Sequence, residues 1–288
     1  MTLVIAKKNS NSIRIFSDTK KTDLTDVLKG ISRSVLKSVI LNRNLCVCFA
    51  GRIGYAYSSI QKLSGIIKQG YDDLDKAKDF LLKENQDSNN NVDFIIASLA
   101  PKFSLVKISD SKVEEVIDQC WIGNIDAFDD YQRRFHSTPG LDRGSLSKEE
   151  EVNLNTIYRM NRAFKRLVES EKHGDVGEFM IEVASSPDGF YYEPTCLSFP
   201  GSKAISPNTS AGLNEFFSST GSYSYSILTP ESTGVGAVGI HFYPGNVGAL
   251  FYPVTLDTPL IYRNVSESEL IDKIFTEYQI KLKSVLLE

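Results

Sequence analysis

The sequence predicts an α+β fold in which two β-sheets pack face to face and a pair of helices covers each outer surface. Strand-like and helix-like segments come in blocks, in the order strands, two helices, strands, two helices, strands. The predicted helices are apolar on one face only, so each needs a sheet to cover that face. We therefore expect a four-layer αββα sandwich rather than a doubly wound parallel sheet, in which strands and helices would alternate.

The first block of strands alternates apolar and polar residues with a period of two, which is typical of β-structure. Residues 2–6 and 12–17 are predicted to form a hairpin, because the Asn and Ser residues of "NSNS" tolerate turn conformations. Two further strands are predicted at residues 38–41 and 45–50.

The apolar period then changes to that of a helix. One helix is predicted from residue 53 towards Gly70 and a second over residues 73–85. Ser147 and Glu150 form a capping-box pattern ahead of a long helix, and Ser266 and Glu269 repeat the pattern near the end of the chain. The remaining predictions are strand-like runs at 92–100, 102–109, 112–123, 178–186, 189–199, 235–243, 246–255 and 259–264, a short helix near 126–135, and an irregular stretch at 201–233.

The chain is predicted to divide into a core at residues 1–200 and a C-terminal extension at 201–288 that packs on the same core.

Acidic residues number 36 against 32 basic ones, and no basic run is interleaved with aromatic residues, so neither nucleic acid nor an anionic membrane is an expected partner. The apolar run at residues 2–6 is too short for a signal peptide or a membrane span, which predicts a cytoplasmic protein. Four cysteines without a CxxC motif and three scattered histidines predict no metal site and no cofactor.

An apolar strand that starts directly behind Met1 indicates that the position of the amino terminus matters. A threonine hydroxyl is a weak nucleophile and needs a base within hydrogen-bond reach. The α-amino group of an N-terminal threonine is such a base, and its pKa of about 8 suits the task. Thr2 would carry this group once Met1 is removed, and removal is sterically permitted when a residue as small as threonine follows.

Three spacings relate Thr2 and later residues of the chain. Asp18 comes sixteen residues after Thr2, Thr22 four residues after Asp18, and Lys37 fourteen residues before Gly51 in "KSVILNRNLCVCFAG". Over residues 2–190 the chain resembles the N-terminal-nucleophile (Ntn) hydrolases of the proteasome β-subunit type, including their simpler ring-forming bacterial relatives. The interval between Asp18 and Lys37 is a few residues longer than is usual in that family.

The resemblance implies a role for each matched residue. Thr2 would attack an amide carbonyl, and Lys37 would lower the pKa of its amine while Asp18 holds and neutralises the lysine. The backbone N–H of Gly51, at a turn from strand to helix, would stabilise the oxyanion.

Two further matches concern the substrate. Thr22 would support its backbone, and Phe49 would floor a specificity pocket that has room only for small side chains.

Two motifs depart from the family pattern. Gly123-Asn124-Ile125 replaces Gly-Ser-Gly, so Asn124 takes the place of a serine near the terminal amine. The later acid-Ser-Gly motif is blurred in "EKHGDVGEF", where Asp175 and His173 are candidates that do not fit by spacing.

Three hypotheses about function follow. The first is a threonine-type amide or peptide hydrolase acting on peptides or proteins through an acyl-ester intermediate; the resemblance implies a homo-oligomeric ring or stacked assembly and allows an ATPase or regulatory partner. The second is a non-catalytic structural or regulatory subunit that retains Met1. The third is an acylase for small amides, in which the C-terminal extension walls off the cleft or replaces a subunit contact.

Overall fold

The computed structural model describes residues 2–21, 34–67, 73–141, 148–170, 172–198, 224–243, 245–256 and 258–285. Within these ranges the chain has an α+β fold, with five helices and three antiparallel sheets. Predictions for Gly70, Ser147 and Thr22 concern residues outside the described ranges.

The first sheet contains the amino terminus. Its strands are Leu3–Lys8 (β1), Ile13–Asp18 (β2), Gln119–Gly123 (β8), Met180–Ser186 (β9) and Gly189–Tyr192 (β10), in the order β10-β9-β2-β1-β8. The predicted hairpin is confirmed, since β1 and β2 pair antiparallel from Lys8 opposite Ile13 to Val4 opposite Ser17. Two helices belong to this part of the chain, Ile125–Ser137 (α3) and Lys148–Glu169 (α4).

The second sheet is a simple meander. Its strands are Ser38–Asn42 (β3), Leu45–Gly51 (β4), Val92–Ser98 (β5), Ser104–Ser109 (β6) and Lys112–Val116 (β7), which pair in that order. The helices Ile53–Ile66 (α1) and Asp73–Asp87 (α2) connect β4 to β5, as the helical period predicts.

The third sheet comes from the C-terminal part of the chain. Its strands are Thr195–Ser198 (β11), Ser224–Pro230 (β12), Val238–Phe242 (β13), Val247–Phe251 (β14) and Leu260–Arg263 (β15), with Leu282–Lys283 (β16) paired to β12. The last helix is Glu267–Tyr278 (α5), and the predicted capping box of Ser266 and Glu269 at its start is confirmed.

Strand alternation separates the buried apolar residues into distinct cores. Alternate residues of the first two sheets, such as Val4 and Cys48, form a shared core that also includes Ile240 of the third sheet. The opposite face of the second sheet packs on α1 and α2, and the opposite face of the first sheet packs on α3 and α4. A separate core joins the third sheet to α5. The C-terminal strands therefore contribute to the same central core as β1.

Three predictions of segment boundaries are wrong. The run at 112–123 is two strands in different sheets: Val116 pairs with Leu105 in the second sheet, whereas Gln119 pairs with Lys7 in the first. The run at 189–199 is also divided, into β10 of the first sheet and β11 of the third; Pro194, which has no N–H to donate to a strand ladder, lies between them. The stretch at 201–233, predicted to be irregular, contains β12, whose alternation was hidden by its Ser and Thr residues.

None of the helices in the described ranges is both long enough and apolar enough to cross a membrane.

Candidate active site

Thr2 lies directly before β1 and is only 3 % exposed. Its carbonyl oxygen accepts a hydrogen bond from the backbone N–H of Asn124 at 2.7 Å. Gly123 makes this close approach possible, because its φ is +111° and a Cβ at this position would lie 1.9 Å from the Thr2 carbonyl oxygen. The end of β8 thus fixes the start of β1.

The Asp18 carboxylate, fully buried at the end of β2, connects the predicted residues. Its Oδ1 accepts hydrogen bonds from the Thr2 hydroxyl at 2.6 Å and from the Leu3 backbone N–H at 3.0 Å. Its Oδ2 accepts from Lys37 Nζ at 2.8 Å and from the backbone N–H groups of Lys20 and Gly177 at 3.1 and 3.3 Å. Five donors converge on two oxygens, which is close to the full accepting capacity of a carboxylate. The resemblance implied that Thr2, Asp18 and Lys37 belong to one site, and the structure brings all three together.

Lys37 reaches Asp18 because two short segments pair beside the sheets. Lys20 forms a β-bridge with Ser34, and the backbone N–H of Val35 donates to the Thr19 carbonyl at 2.8 Å. This pairing places Lys37, the residue before β3, alongside the end of β2. The lengthened interval between Asp18 and Lys37 falls mainly on residues 22–33, outside the described ranges.

The Lys37 ammonium group is buried, with the side chain 1 % exposed. Besides Asp18 it donates to the Lys20 carbonyl at 2.6 Å. Burial lowers the pKa of Lys37 below its usual value, while the negative charges of Asp18 and Asp175 oppose this shift. A lysine with a lowered pKa is better able to exchange a proton near neutral pH.

Asn124 and Asp175 form a second polar pair next to Thr2. The Asn124 carbonyl oxygen Oδ1 accepts from the Ala127 N–H at 2.8 Å and caps α3, while its Nδ2 donates to both oxygens of Asp175, at 3.1 and 2.9 Å. Asn124 was predicted to lie near the Thr2 amine, but it contacts Thr2 through its backbone N–H, which donates to the Thr2 carbonyl, and its side chain holds Asp175.

The segment after α4 contributes more to the site than its sequence indicates. Asp175 faces Asn124, and the next residues supply N–H groups: Gly177 to Asp18, and Phe179 to the Thr19 hydroxyl at 3.0 Å. Two of these groups are backbone amides, which carry no side-chain signal in a sequence. The useful clue was the acid itself in "HGDVGEF", although its spacing does not match the family motif.

Gly51 lies at the predicted turn from strand to helix, since it ends β4 and α1 begins two residues later. The Phe49 N–H donates to the Lys37 carbonyl at 3.0 Å, and the Arg52 N–H donates to the Asn91 carbonyl at 3.1 Å on the other side of the strand. Because successive N–H groups of a strand point to opposite sides, the Gly51 N–H is directed to the side of Lys37. Glycine is required here, as φ is +112° and a Cβ would lie 2.1 Å from the Asn91 carbonyl oxygen.

Phe49 is buried in the core between the second sheet and α1. Its ring stands edge-on to Tyr57, with 5.6 Å between ring centroids. The Tyr57 hydroxyl accepts from the Leu36 N–H at 2.9 Å and lies 3.3 Å from the Leu36 carbonyl oxygen. A cleft between α1 and residues 258–261 is lined by Tyr57 and not by Phe49. Phe49 therefore contacts the cleft only through the ring of Tyr57.

The histidine candidate lies apart from this cluster. His173 Nε2 is 3.3 Å from Asp130 of α3, next to Arg134, which also contacts that carboxylate. Among the described residues no group of three or more His, Cys, Asp or Glu side chains could hold a metal ion.

Taken as a chemical unit, the site offers a hydroxyl on a threonine near the chain start, a buried ammonium–carboxylate pair in contact with it, and a backbone N–H on the lysine side. A hydroxyl, a group of tunable pKa and an N–H donor are the components that acyl transfer requires.

No family model and no curated protein matches the chain.

Proposed function

We propose that the chain is a threonine-type amide hydrolase of the proteasome β-subunit kind, and that its sheets and helices form the four-layer αββα sandwich of Ntn hydrolases. The layers of the described residues support the fold, since two sheets share a core and each carries a helix pair on its outer face. The single observation that carries the function is that Asp18 accepts both the Thr2 hydroxyl and the Lys37 ammonium.

In this proposal the reaction starts after Met1 is removed. The Thr2 hydroxyl oxygen attacks the amide carbonyl carbon while its proton passes to the free α-amino group of the same residue. Lys37 lowers the pKa of that amine by its charge, and Asp18 keeps the two cations close together. The C–N bond breaks, the leaving amine takes the proton, and an ester on Thr2 remains.

Water then hydrolyses the ester and restores the hydroxyl. The Gly51 N–H is the proposed oxyanion donor in both steps, and a donor of this kind is worth about 3 to 4 kcal/mol in the barrier. Asn124 and Asp175 act as positioning residues, because they hold the backbone of Thr2 and add negative charge near Lys37. A homo-oligomeric assembly and a regulatory partner remain predictions from the resemblance.

The test combines intact mass with covalent labelling. We expect the purified full chain to lack Met1, and a peptide with an electrophilic vinyl sulfone to add once, at Thr2. Thr2→Ser should retain labelling and Thr2→Ala should abolish it, while Thr276→Ala, on the exposed face of α5, should label like the wild type. A chain that keeps Met1 and takes no label would contradict the proposal.

One observation favours the second candidate, a non-catalytic subunit of the same fold. Thr2 is almost fully buried, and its hydroxyl already donates to a buried carboxylate. In that case the cluster stabilises the start of β1 and has no reaction to perform. The two candidates differ in the same experiment, because the structural subunit retains Met1.

A further inference from the structure

A cleft of about 510 Å³ lies between α1 and the C-terminal part of the chain. Tyr57 lines one side, and Thr258, Pro259 and Ile261 line the opposite side. Lys21 and Val35 belong to the remaining wall. The C-terminal extension thus supplies residues to a cavity whose other walls come from the N-terminal half.

Two backbone contacts connect the lining of the cleft to the candidate active site. The Lys20 carbonyl accepts from Lys37 Nζ, and the next residue, Lys21, lines the cleft. The Tyr57 hydroxyl binds the backbone of Leu36, the neighbour of Lys37. Lys21 therefore directly follows a residue that contacts the Lys37 ammonium group, and Tyr57 contacts the residue that directly precedes Lys37.

The C-terminal wall is fixed to the rest of the molecule. The Gln61 side-chain amide on α1 donates to the Pro253 carbonyl at 3.2 Å, and Val254 packs against the core beneath α1. Ile261 is paired with Ala249 in the third sheet and is 37 % exposed. This wall is held by strand pairing and by α1, so its side chains have defined positions from which to limit the size of a ligand.

We propose that Thr258, Pro259 and Ile261 of the C-terminal part of the chain set the largest substrate side chain that this cleft accepts next to the amide that Thr2 attacks. This inference rests on the proposed function. Among the described residues, the lining is apolar at Val35 and Ile261, has a cation at Lys21 and includes no carboxylate. The cleft therefore favours apolar or acidic side chains over basic ones.

The experiment uses peptide vinyl sulfones of identical sequence that differ only in the residue before the electrophile, which is Ala, Leu, Trp or Arg. Labelling rates of Thr2 are measured by intact mass. We expect Ile261→Ala to raise the ratio of the Trp to the Ala rate about tenfold or more, and Ile261→Trp to lower it similarly, because small volume changes in an apolar pocket are worth roughly tenfold to two-hundredfold. The Arg probe should react more slowly than the Leu probe in the wild type.

Ile117→Trp is the matched control, since Ile117 is an exposed isoleucine between β7 and β8. If the wild type is labelled but the Ile261 variants keep the same rate ratios as Ile117→Trp, the wall has no effect on selectivity. That result overturns this inference and leaves the proposed hydrolase intact. Faster labelling by the Arg probe than by the Leu probe would overturn the charge preference.

If no probe labels the wild type, the hydrolase proposal fails, and the wall is tested by access to the cleft. Ile53→Cys places a half-buried thiol on the cleft side at the start of α1, and Ser268→Cys places an exposed one on α5. We compare the rate of pyrene maleimide with that of the smaller iodoacetamide at each thiol. We expect this rate ratio to be at least tenfold lower at residue 53 than at residue 268, and Ile261→Ala to reduce the difference. Equal relative rates at the two sites would mean that the C-terminal residues do not enclose a cleft, and the inference would be wrong.

Discussion

Lys37 Nζ lies 2.8 Å from Asp18 Oδ2, and the two side chains are 1 % and 0 % exposed. Removing one partner of such a pair leaves the other charge buried without compensation. We expect Lys37→Met to lower the free energy of unfolding by about 3 to 5 kcal/mol, as measured by urea denaturation. The backbone donors to Asp18 remain in this variant, so the loss should lie towards the lower end of the range.

The control for this prediction is the exposed pair of Lys102 and Glu115, whose side chains are both more than half exposed. Lys102→Met should cost much less stability than Lys37→Met because solvent screens the exposed pair. Similar losses in the two variants would mean that the buried pair contributes no more than a surface pair.

Gly123→Ala should displace Thr2. A methyl group at residue 123 would meet the Thr2 carbonyl oxygen, and the positive φ adds strain of about 1 to 3 kcal/mol. We expect a loss of stability of at least that size in thermal unfolding, together with loss of Thr2 labelling. Gly65→Ala in α1 is the control, since a Cβ there meets nothing within 4 Å and alanine favours a helix by up to about 1 kcal/mol. Normal labelling in Gly123→Ala would refute the idea that β8 positions Thr2.

Asp175→Asn should change the pH dependence of Thr2 labelling. The negative charge of Asp175 raises the pKa of Lys37, so its removal lowers that pKa further. We expect the limb of the pH–rate profile that reports Lys37 to move to lower pH, and the maximal rate to fall roughly tenfold to a hundredfold as Asn124 loses one of its two acceptor oxygens. Asp188→Asn, at an exposed turn, should leave the profile unchanged. A slower rate with an unshifted profile would assign Asp175 a purely structural role.

Asp93 should make stability depend on pH between about 4 and 6. Burial, followed by the nearby Asp110 carboxylate, raises the pKa of Asp93 from 3.8 to about 6. The folded state then binds more protons than the unfolded state in this range, so stability falls as the pH rises through it. Asp93→Asn removes this loss, and we expect the variant to gain about 1 to 2 kcal/mol relative to the wild type between pH 4 and pH 7, a figure reduced because Asp93 is partly exposed to solvent.

The measurement is urea unfolding at several pH values, with Asp272→Asn on the exposed face of α5 as the control. The control should follow the wild-type pH dependence. If Asp93→Asn also follows it, Asp93 titrates at an ordinary pKa in the folded protein.

Local patterns were enough to predict most helices and strands. Period-two alternation placed β1 and β2 to within two residues, and Ser266 with Glu269 marked the start of α5, because hairpin turns and helix caps depend on neighbouring residues. The same patterns failed at residues 117–118 and at Pro194, where the chain passes from one sheet to another. Which sheet a strand joins depends on partners distant in sequence, and alternation does not specify them.

The sequence by itself determined that Thr2 and Asp18 lie at the same end of a hairpin, since the lengths of two strands and a turn follow from local residues. The place of Lys37 beside them was a prediction from the family resemblance. Only the tertiary structure decided how they meet: Asp18 lies between the hydroxyl and the ammonium, Asn124 approaches through its backbone, and Gly177 adds an N–H. It also decided that Thr258–Ile261 faces Tyr57 across a cleft. The reason is physical, because backbone donors and contacts between distant strands arise from packing the sheets together and leave no trace in residue types or local spacing.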